Sequence, residues 1–244
     1  MATPLEQTLI VVPAYNEEAS VGATVSEILT TLPGVACLVV DDGSTDATSI
    51  VAQEAGATVA VLPFNLGVGG AMRFGFKYAI SHGFRNVIQI DADGQHDPAN
   101  VPQLLTALAD ADLVIGARFA GSGAYEVKGP RKWAMKVLSS TLSRSARTTL
   151  TDTTSGFKAS GPKAVALFAS NYPAEYLGDT IEALVIAMRA GCVITQIPVS
   201  MRPRTAGVPS HNPLKAATYL GRVFLALGFA LFRPIARPEQ QVEA

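Results

Sequence analysis

Cysteine is nearly absent: there are two in 244 residues. Cys37 and Cys192 both fall inside strand-like runs. They offer neither a disulfide framework nor a metal-ligand spacing, so a reducing compartment is the natural reading. The first residues, MATPLEQTLIVVPAYNEE, lack the basic segment and long apolar run of a secretory leader. Long apolar runs are missing near the other end too. Val223 to Phe232 is ten residues, against roughly 20 needed to span a bilayer. From Ala183 to Pro238 there is no acid at all, while seven Lys/Arg stand there. Internal repeats and low-complexity linkers are also missing.

What is present is apolar for a water-soluble chain: 48% hydrophobic residues and a mean hydropathy of +0.27. A chain of this length can bury a sizeable core, as one large α/β domain or two small ones. The net charge of -1 hides an asymmetry. Residues 1–123 hold 13 acids and 4 Lys/Arg, and residues 124–244 hold 7 acids and 15 Lys/Arg. A basic second half suits an anionic partner such as phosphate, anionic lipid or nucleic acid; ordinary solvated charge is the alternative.

Short apolar runs alternate with helical periodicity. Strands are expected at Leu9–Val12, Cys37–Val40, Thr58–Leu62, Val87–Ile90, Leu113–Ile115 and Val193–Val199. Between them the spacing predicts helices over 21–32, 46–54 with Ser44 or Thr45 as cap, and 67–80. Further helices are expected over 100–109, 128–147 and 178–190. In the third, Met72, Phe76, Ala79 and Ile80 share one face. This order predicts an α/β fold, a doubly wound, mostly parallel sheet with helices on both faces. Ligands bind such sheets at the carboxyl edge of the strands. A last helix, Leu214–Phe232, lines up Lys215, Arg222 and Arg233 on an otherwise apolar surface. That pattern suits a membrane interface, or else an oligomer contact or core packing. The expected division is therefore a catalytic domain over 1–212 and an interfacial helix and tail over 213–244.

The central stretch is VIQIDADGQHDP, Val87 to Pro98. A buried strand ending in Asp91-Ala92-Asp93 is a place to hold a hard cation, Mg²⁺ or Mn²⁺, with Gln95 as a neutral oxygen ligand. The alternative is a solvated turn or a helix cap. Asp42 and the turn after Pro13 can hydrogen-bond a base and ribose. Arg118, Arg131, Arg202 and Arg204 suit diphosphate or acceptor phosphate, because guanidinium matches phosphate oxygens bidentately. His96 either contacts sugar or phosphate or is structural or merely exposed. Gly67-x-Gly69 looks like a dinucleotide fingerprint, but it follows the third strand and its spacing is wrong.

PAYNEE, VVDDGSTDAT, NLGVGGA, IDADGQHDP, GAR and DTTSGFK, in that order, resemble family-2 glycosyltransferases with a GT-A fold. The spacing is most similar to the dolichol-phosphate-mannose synthase-like branch, which glycosylates polyprenyl phosphates. The resemblance runs from about Thr8 to Arg222. It implies a nucleotide-sugar donor, UDP- or GDP-linked, and inversion at the anomeric carbon. It also implies Asp91, Asp93 and Gln95 at the metal, with Pro13, Tyr15, Glu17 and Asp42 around the nucleotide. Arg118, Arg131 and Arg204 would lie on the phosphates, and the DTTSGF turn near the acceptor. Ala14, Gly67, Ala92 and Arg202 complete the expected donor-binding set. The expected setting is the cytoplasmic face of a membrane, peripherally bound, with no nucleic-acid partner and a homo-oligomer left open.

Two departures stand out. Val68 occupies a position where many relatives carry Lys, and the Arg204–Ser210 loop is one residue longer than usual. The acceptor decides whether a base is needed. A saccharide hydroxyl would want a carboxylate such as Asp179 as general base, whereas a lipid phosphate is already anionic. Asp179 as a favourable charge at a helix N-terminus is the alternative. A nucleotide-sugar-binding module without catalysis is the reading from another class.

Overall fold

The computed structural model describes residues 5–117, 143, 150–173 and 179–202; of Asp179 only the backbone is described. Seven strands form one sheet: β1 (Thr8–Ala14), β2 (Ala36–Asp41), β3 (Thr58–Val61), β4 (Asn86–Gln89), β5 (Leu113–Ala117), β6 (Lys158–Ser160) and β7 (Ile194–Pro198). Their order is β3-β2-β1-β4-β6-β5-β7. Only β6 runs antiparallel, between β4 and β5. Six described helices complete the fold: α1 (Val21–Thr31), α2 (Thr48–Glu54), α3 (Gly67–Ser81), α4 (Val101–Ala107), α5 (Pro162–Asn171) and α6 (Asp179–Arg189).

The side-chain alternation of the strands builds two cores. Leu9, Val11, Leu38 and Val40 face α3, α5 and α6. Ile10, Val12, Cys37 and Val39 face α1, α2 and α4. Strands buried on both faces read as continuous apolar runs, which is why their positions were legible. Burial pushes the Cys37 thiol up to about 12, so it behaves as a small apolar side chain.

β1 continues past its expected end through Pro13. The Val11 carbonyl accepts from Ile90 on the β4 side, and the Ala14 carbonyl accepts from Asp42 on the β2 side. Alternation turns the Pro13 nitrogen toward β4, whose pairing with β1 has already ended at Val11–Gln89. The missing N–H therefore breaks no ladder bond.

Other boundaries also shift. The N-cap of α2 is Ala47, with no side-chain cap bond, rather than Ser44 or Thr45; Asp46, just before it, accepts from the Thr48 N–H at 3.0 Å through Oδ1. Ile80 is 37% exposed and lies off the inward face of α3. β6 was not expected: Lys158-Ala159-Ser160 has no strand signature and becomes a strand only because β4 and β5 offer it edges. α5, with Pro at its first position, was likewise not expected. No described helix is long and apolar enough to cross a membrane. The helices expected over 128–147 and 214–232 lie outside the described residues, Ser143 excepted.

Candidate functional site

The polar ends of β1, β2 and β4 meet on one side of the sheet. They open onto a crevice of about 440 Å³, lined among others by Tyr15, Glu17, Asp42, Gly67, Asp91 and Asp93. Pro13, Ala14, Val68, Ala92, Thr154, Gly156 and Thr180 also contribute to its walls. The crevice is therefore the meeting point of the four sequence stretches expected to converge.

One of its walls is two loops tied together. The Asn16 N–H donates to Ser44 Oγ at 2.9 Å, and Asn16 Oδ1 accepts from the Thr45 N–H at 2.9 Å. The Glu17 N–H donates to Thr48 Oγ1 at 2.8 Å, the Glu18 N–H to Asp46 Oδ2 at 3.2 Å, and Glu18 Oε2 accepts from the Ala47 N–H at 2.9 Å. Asn16 adopts φ +54° to make these bonds, a left-handed conformation that Asn tolerates better than most residues. The loops thus hold Tyr15, 47% exposed, at the mouth.

Asp42 is 3% exposed. Its two oxygens accept from the Leu66 and Gly67 N–H groups, each at 2.7 Å, at the start of α3. Burial pushes its carboxyl above the ordinary value, these two bonds pull it back, and neighbouring Asp41 adds to the rise. Asp42 thus fastens the α3 entry as well as lining the crevice. Gly67, with φ +81°, supplies the turn.

Asp91 and Asp93 follow the end of β4. Asp91 Oδ1 accepts from Gln89 Nε2 at 3.0 Å, and Asp93 Oδ1 accepts from the Gln95 N–H at 3.1 Å. The side chain of Asp91 is 38% exposed, and the Asp93 residue 8%. Ala92 lies between them, its carbonyl accepting from Thr24 Oγ1 of α1 at 3.0 Å. Among the described lining residues there are four carboxylates, Glu17, Asp42, Asp91 and Asp93, and no Lys or Arg. Two carboxylates lining one crevice fit Mg²⁺ or Mn²⁺, which take further ligands from phosphate and water. No cluster of three His, Cys, Asp or Glu with metal-holding geometry occurs among the described residues.

Gln95 sits just outside this wall, its Nε2 donating to the Arg202 carbonyl at 3.5 Å. Arg202 does not reach the crevice. Its guanidinium pairs with Glu27 at 2.5 Å and Asp97 at 3.0 Å on the surface. The hydrogen bond to Glu27, helped by Asp97, holds it above its ordinary value. The Arg202 N–H donates to the Gln95 carbonyl, and Met201 bridges to His96. Met201 and Arg202 are thus tied to the loop that carries Asp91 and Asp93.

His96 is neither exposed nor at the crevice. It is 3% exposed and stacks on Phe157 at 4.9 Å. The structural alternative holds, and no periodicity could have revealed a stacking partner so far along the chain. Ser155 Oγ donates to the Gly116 carbonyl at 2.7 Å, docking the DTTSGF turn on the end of β5. Thr180, in the first turn of α6, lines the crevice beside Asp179. Arg118, Arg131 and Arg204 lie outside the described residues; Arg118 directly follows β5.

The family model for glycosyl transferase family 2 matches residues 9–165. A polyprenol monophosphomannose synthase of Mycolicibacterium smegmatis is 30% identical over 219 residues, covering 84% of this chain and 81% of the relative. An undecaprenyl-phosphate mannosyltransferase of Micrococcus luteus is 38% identical over 122 residues, 48% of this chain and 50% of the relative. Among solved structures, the glucosyl-3-phosphoglycerate synthase of Mycobacterium tuberculosis, crystallised with Mn²⁺, UDP and glucosyl-3-phosphoglycerate, superposes with a TM-score of 0.70. It is 24% identical and the match covers 93% of this chain and 80% of that one. This last likeness bears on the fold, which is GT-A.

Proposed function

The chain belongs to glycosyl transferase family 2, and on that premise we propose that it transfers a sugar from a UDP- or GDP-linked donor to a polyprenyl phosphate. The observation that carries this reading is the crevice with four carboxylates and no described cation. A donor diphosphate would be repelled there unless it arrived with countercharge. Asp91 and Asp93, with Gln95 behind them, would hold Mg²⁺ or Mn²⁺, which supplies neutralisation of the diphosphate as negative charge grows on the leaving nucleotide. Tyr15, Glu17 and the Asn16–Thr45 wall would seat the nucleoside. Arg118, Arg131 and Arg204 would meet the remaining phosphate charge, donor or acceptor.

In the reaction an oxygen of the acceptor phosphate attacks the anomeric carbon. The bond from that carbon to the nucleoside diphosphate breaks, and the configuration inverts. The acceptor is already anionic, so no general base is required. The names of the two curated relatives support this acceptor class. The basic second half and the amphipathic pattern over 214–232 support action at a membrane surface.

The test is a donor screen with polyprenyl phosphate, with and without Mg²⁺, Mn²⁺ and chelator, reading out lipid-linked sugar. Asp91→Asn and Asp93→Asn should each abolish transfer; full activity in either removes the metal assignment. One observation favours a second reading: Asp179 opens the helix whose next residue lines the crevice. A saccharide hydroxyl acceptor could use it as base. Donor binding without turnover on any acceptor would instead revive a non-catalytic module.

A further inference from the structure

Asp91 is held from three directions. We infer that His96, Gln89 and Gly156 form a clamp that presets the Asp91 carboxylate for the cation, an inference that rests on the metal reading above. The Asp91 N–H donates to His96 Nδ1 at 3.0 Å. Because Nδ1 is an acceptor, the ring proton sits on Nε2, which lies 3.6 Å from Asp91 Oδ2. One imidazole therefore bonds the backbone of Asp91 and stands beside its carboxylate, just beyond hydrogen-bond reach.

The ring itself cannot drift. It is buried, stacked on Phe157 with an interplanar angle of 14°, and its backbone bridges Met201. On the other oxygen, Gln89 Nε2 donates to Oδ1 at 3.0 Å from within β4, and Gln89 is 7% exposed. The third side is steric. A Cβ at Gly156 would lie 2.8 Å from Asp91 Oδ2, 3.1 Å from Oδ1 and 3.1 Å from Gln89 Nε2. The backbone of the DTTSGF turn is thus the wall against which the carboxylate rests, and only glycine leaves it room.

A carboxylate ligand on a free side chain must be ordered when the cation binds. One ordered in advance, with its donors in a low-dielectric wall, binds more tightly. The clamp also explains why the DTTSGF turn sits where it does. It places Phe157 under His96 and Gly156 against Asp91, so a segment more than sixty residues away in sequence shapes the metal ligand.

The decisive measurement is Mn²⁺ binding followed by electron paramagnetic resonance, on the full chain, alone and with UDP or GDP, together with the melting temperature in chelator. His96→Phe keeps the stacked ring but removes both nitrogens. Gly156→Ala leaves every hydrogen bond in place and pushes on the carboxylate. Each should weaken Mn²⁺ binding about tenfold or more, the size usual for outer-shell changes. His96→Asn, which keeps an acceptor oxygen near the Nδ1 position, should recover part of the loss. Affinity within twofold of the parent in both His96→Phe and Gly156→Ala overturns the clamp, even if transfer falls. If His96→Phe melts far below the parent, Gly156→Ala decides alone. A parent chain that binds no Mn²⁺, or an Asp91→Asn variant that binds it unchanged, overturns the metal reading itself and the clamp with it.

Discussion

The side-chain Oδ1 of Asn16 accepts the Thr45 N–H at 2.9 Å, while the Asn16 backbone N–H is held by neighbouring Ser44. This pairing joins the loops after β1 and β2 across 29 residues of chain. It explains why PAYNEE and DDGSTDAT occur together: each supplies the partners that the other's backbone needs.

Asn16→Ala should therefore loosen this wall of the crevice more than its exposure suggests. Ala loses the bonds to Thr45 and is strained at φ +54°. A loss of about 1–3 kcal/mol is expected, with a raised donor KM. Urea unfolding and donor titration check it. Asn16→Gly should recover the strain and not the bonds, leaving an intermediate stability.

Asp46 predicts a pH dependence. Burial opposes its charge, but hydrogen bonds from the Thr48 hydroxyl and N–H and the Glu18 N–H hold its carboxyl below the ordinary 3.8. A carboxyl lowered by folding adds stability that is present above 3.8 and fades as pH falls through its lowered value. At neutral pH Asp46→Ala should cost about 1 kcal/mol, as for lost hydrogen bonds. The difference from the parent chain should shrink below pH 3.8. Chemical denaturation across the acid range measures both limbs.

Asp179→Asn separates the two acceptor classes. With polyprenyl phosphate as acceptor, substantial turnover should remain. If a saccharide hydroxyl is the acceptor, removal of the general base should cost about 10²–10⁴-fold in kcat. A steady-state comparison on both acceptors decides.

Arg202 and Arg204 should behave differently despite their spacing. Arg202 is tied to Glu27 and Asp97 at the surface, so Arg202→Ala should cost under about 1 kcal/mol of stability and leave most transfer intact. Arg204→Ala should lower kcat/KM strongly. Thermal melts and transfer assays in parallel would reverse the assignment if Arg202 proved the more important.

Deleting residues 213–244 should reduce binding to anionic liposomes, and the loss should be larger at low salt. Co-sedimentation at two ionic strengths checks this; unchanged binding would remove the interfacial role from that segment.

Much was readable without coordinates because the signals are local. β1, β2 and β4 are apolar runs buried on both faces, and each ends in the polar residues that line the crevice. The two β-strand edges that accept β6 are also apolar, but nothing in Lys158-Ala159-Ser160 announces a strand. Its conformation comes from Ile88 and Val114 on either side, an antiparallel pairing that only the closed sheet can offer. Arg202 shows the limit of reasoning from residue type. A guanidinium suits phosphate, yet equally suits two carboxylates, and the choice lay with α1 and the turn after His96.

The sequence by itself determined the alternation of strands and helices, the family, and the acids Asp91 and Asp93 at a strand end, because periodicity and strand termini are properties of neighbouring residues. The tertiary structure decided what those acids rest against. Thr24 reaches Ala92 from 68 residues away, Phe157 carries His96, and Gly156 meets Asp91. Such contacts depend on which strands lie side by side. Pairing in a sheet is set by the burial of both faces at once, and no single stretch of the chain contains it.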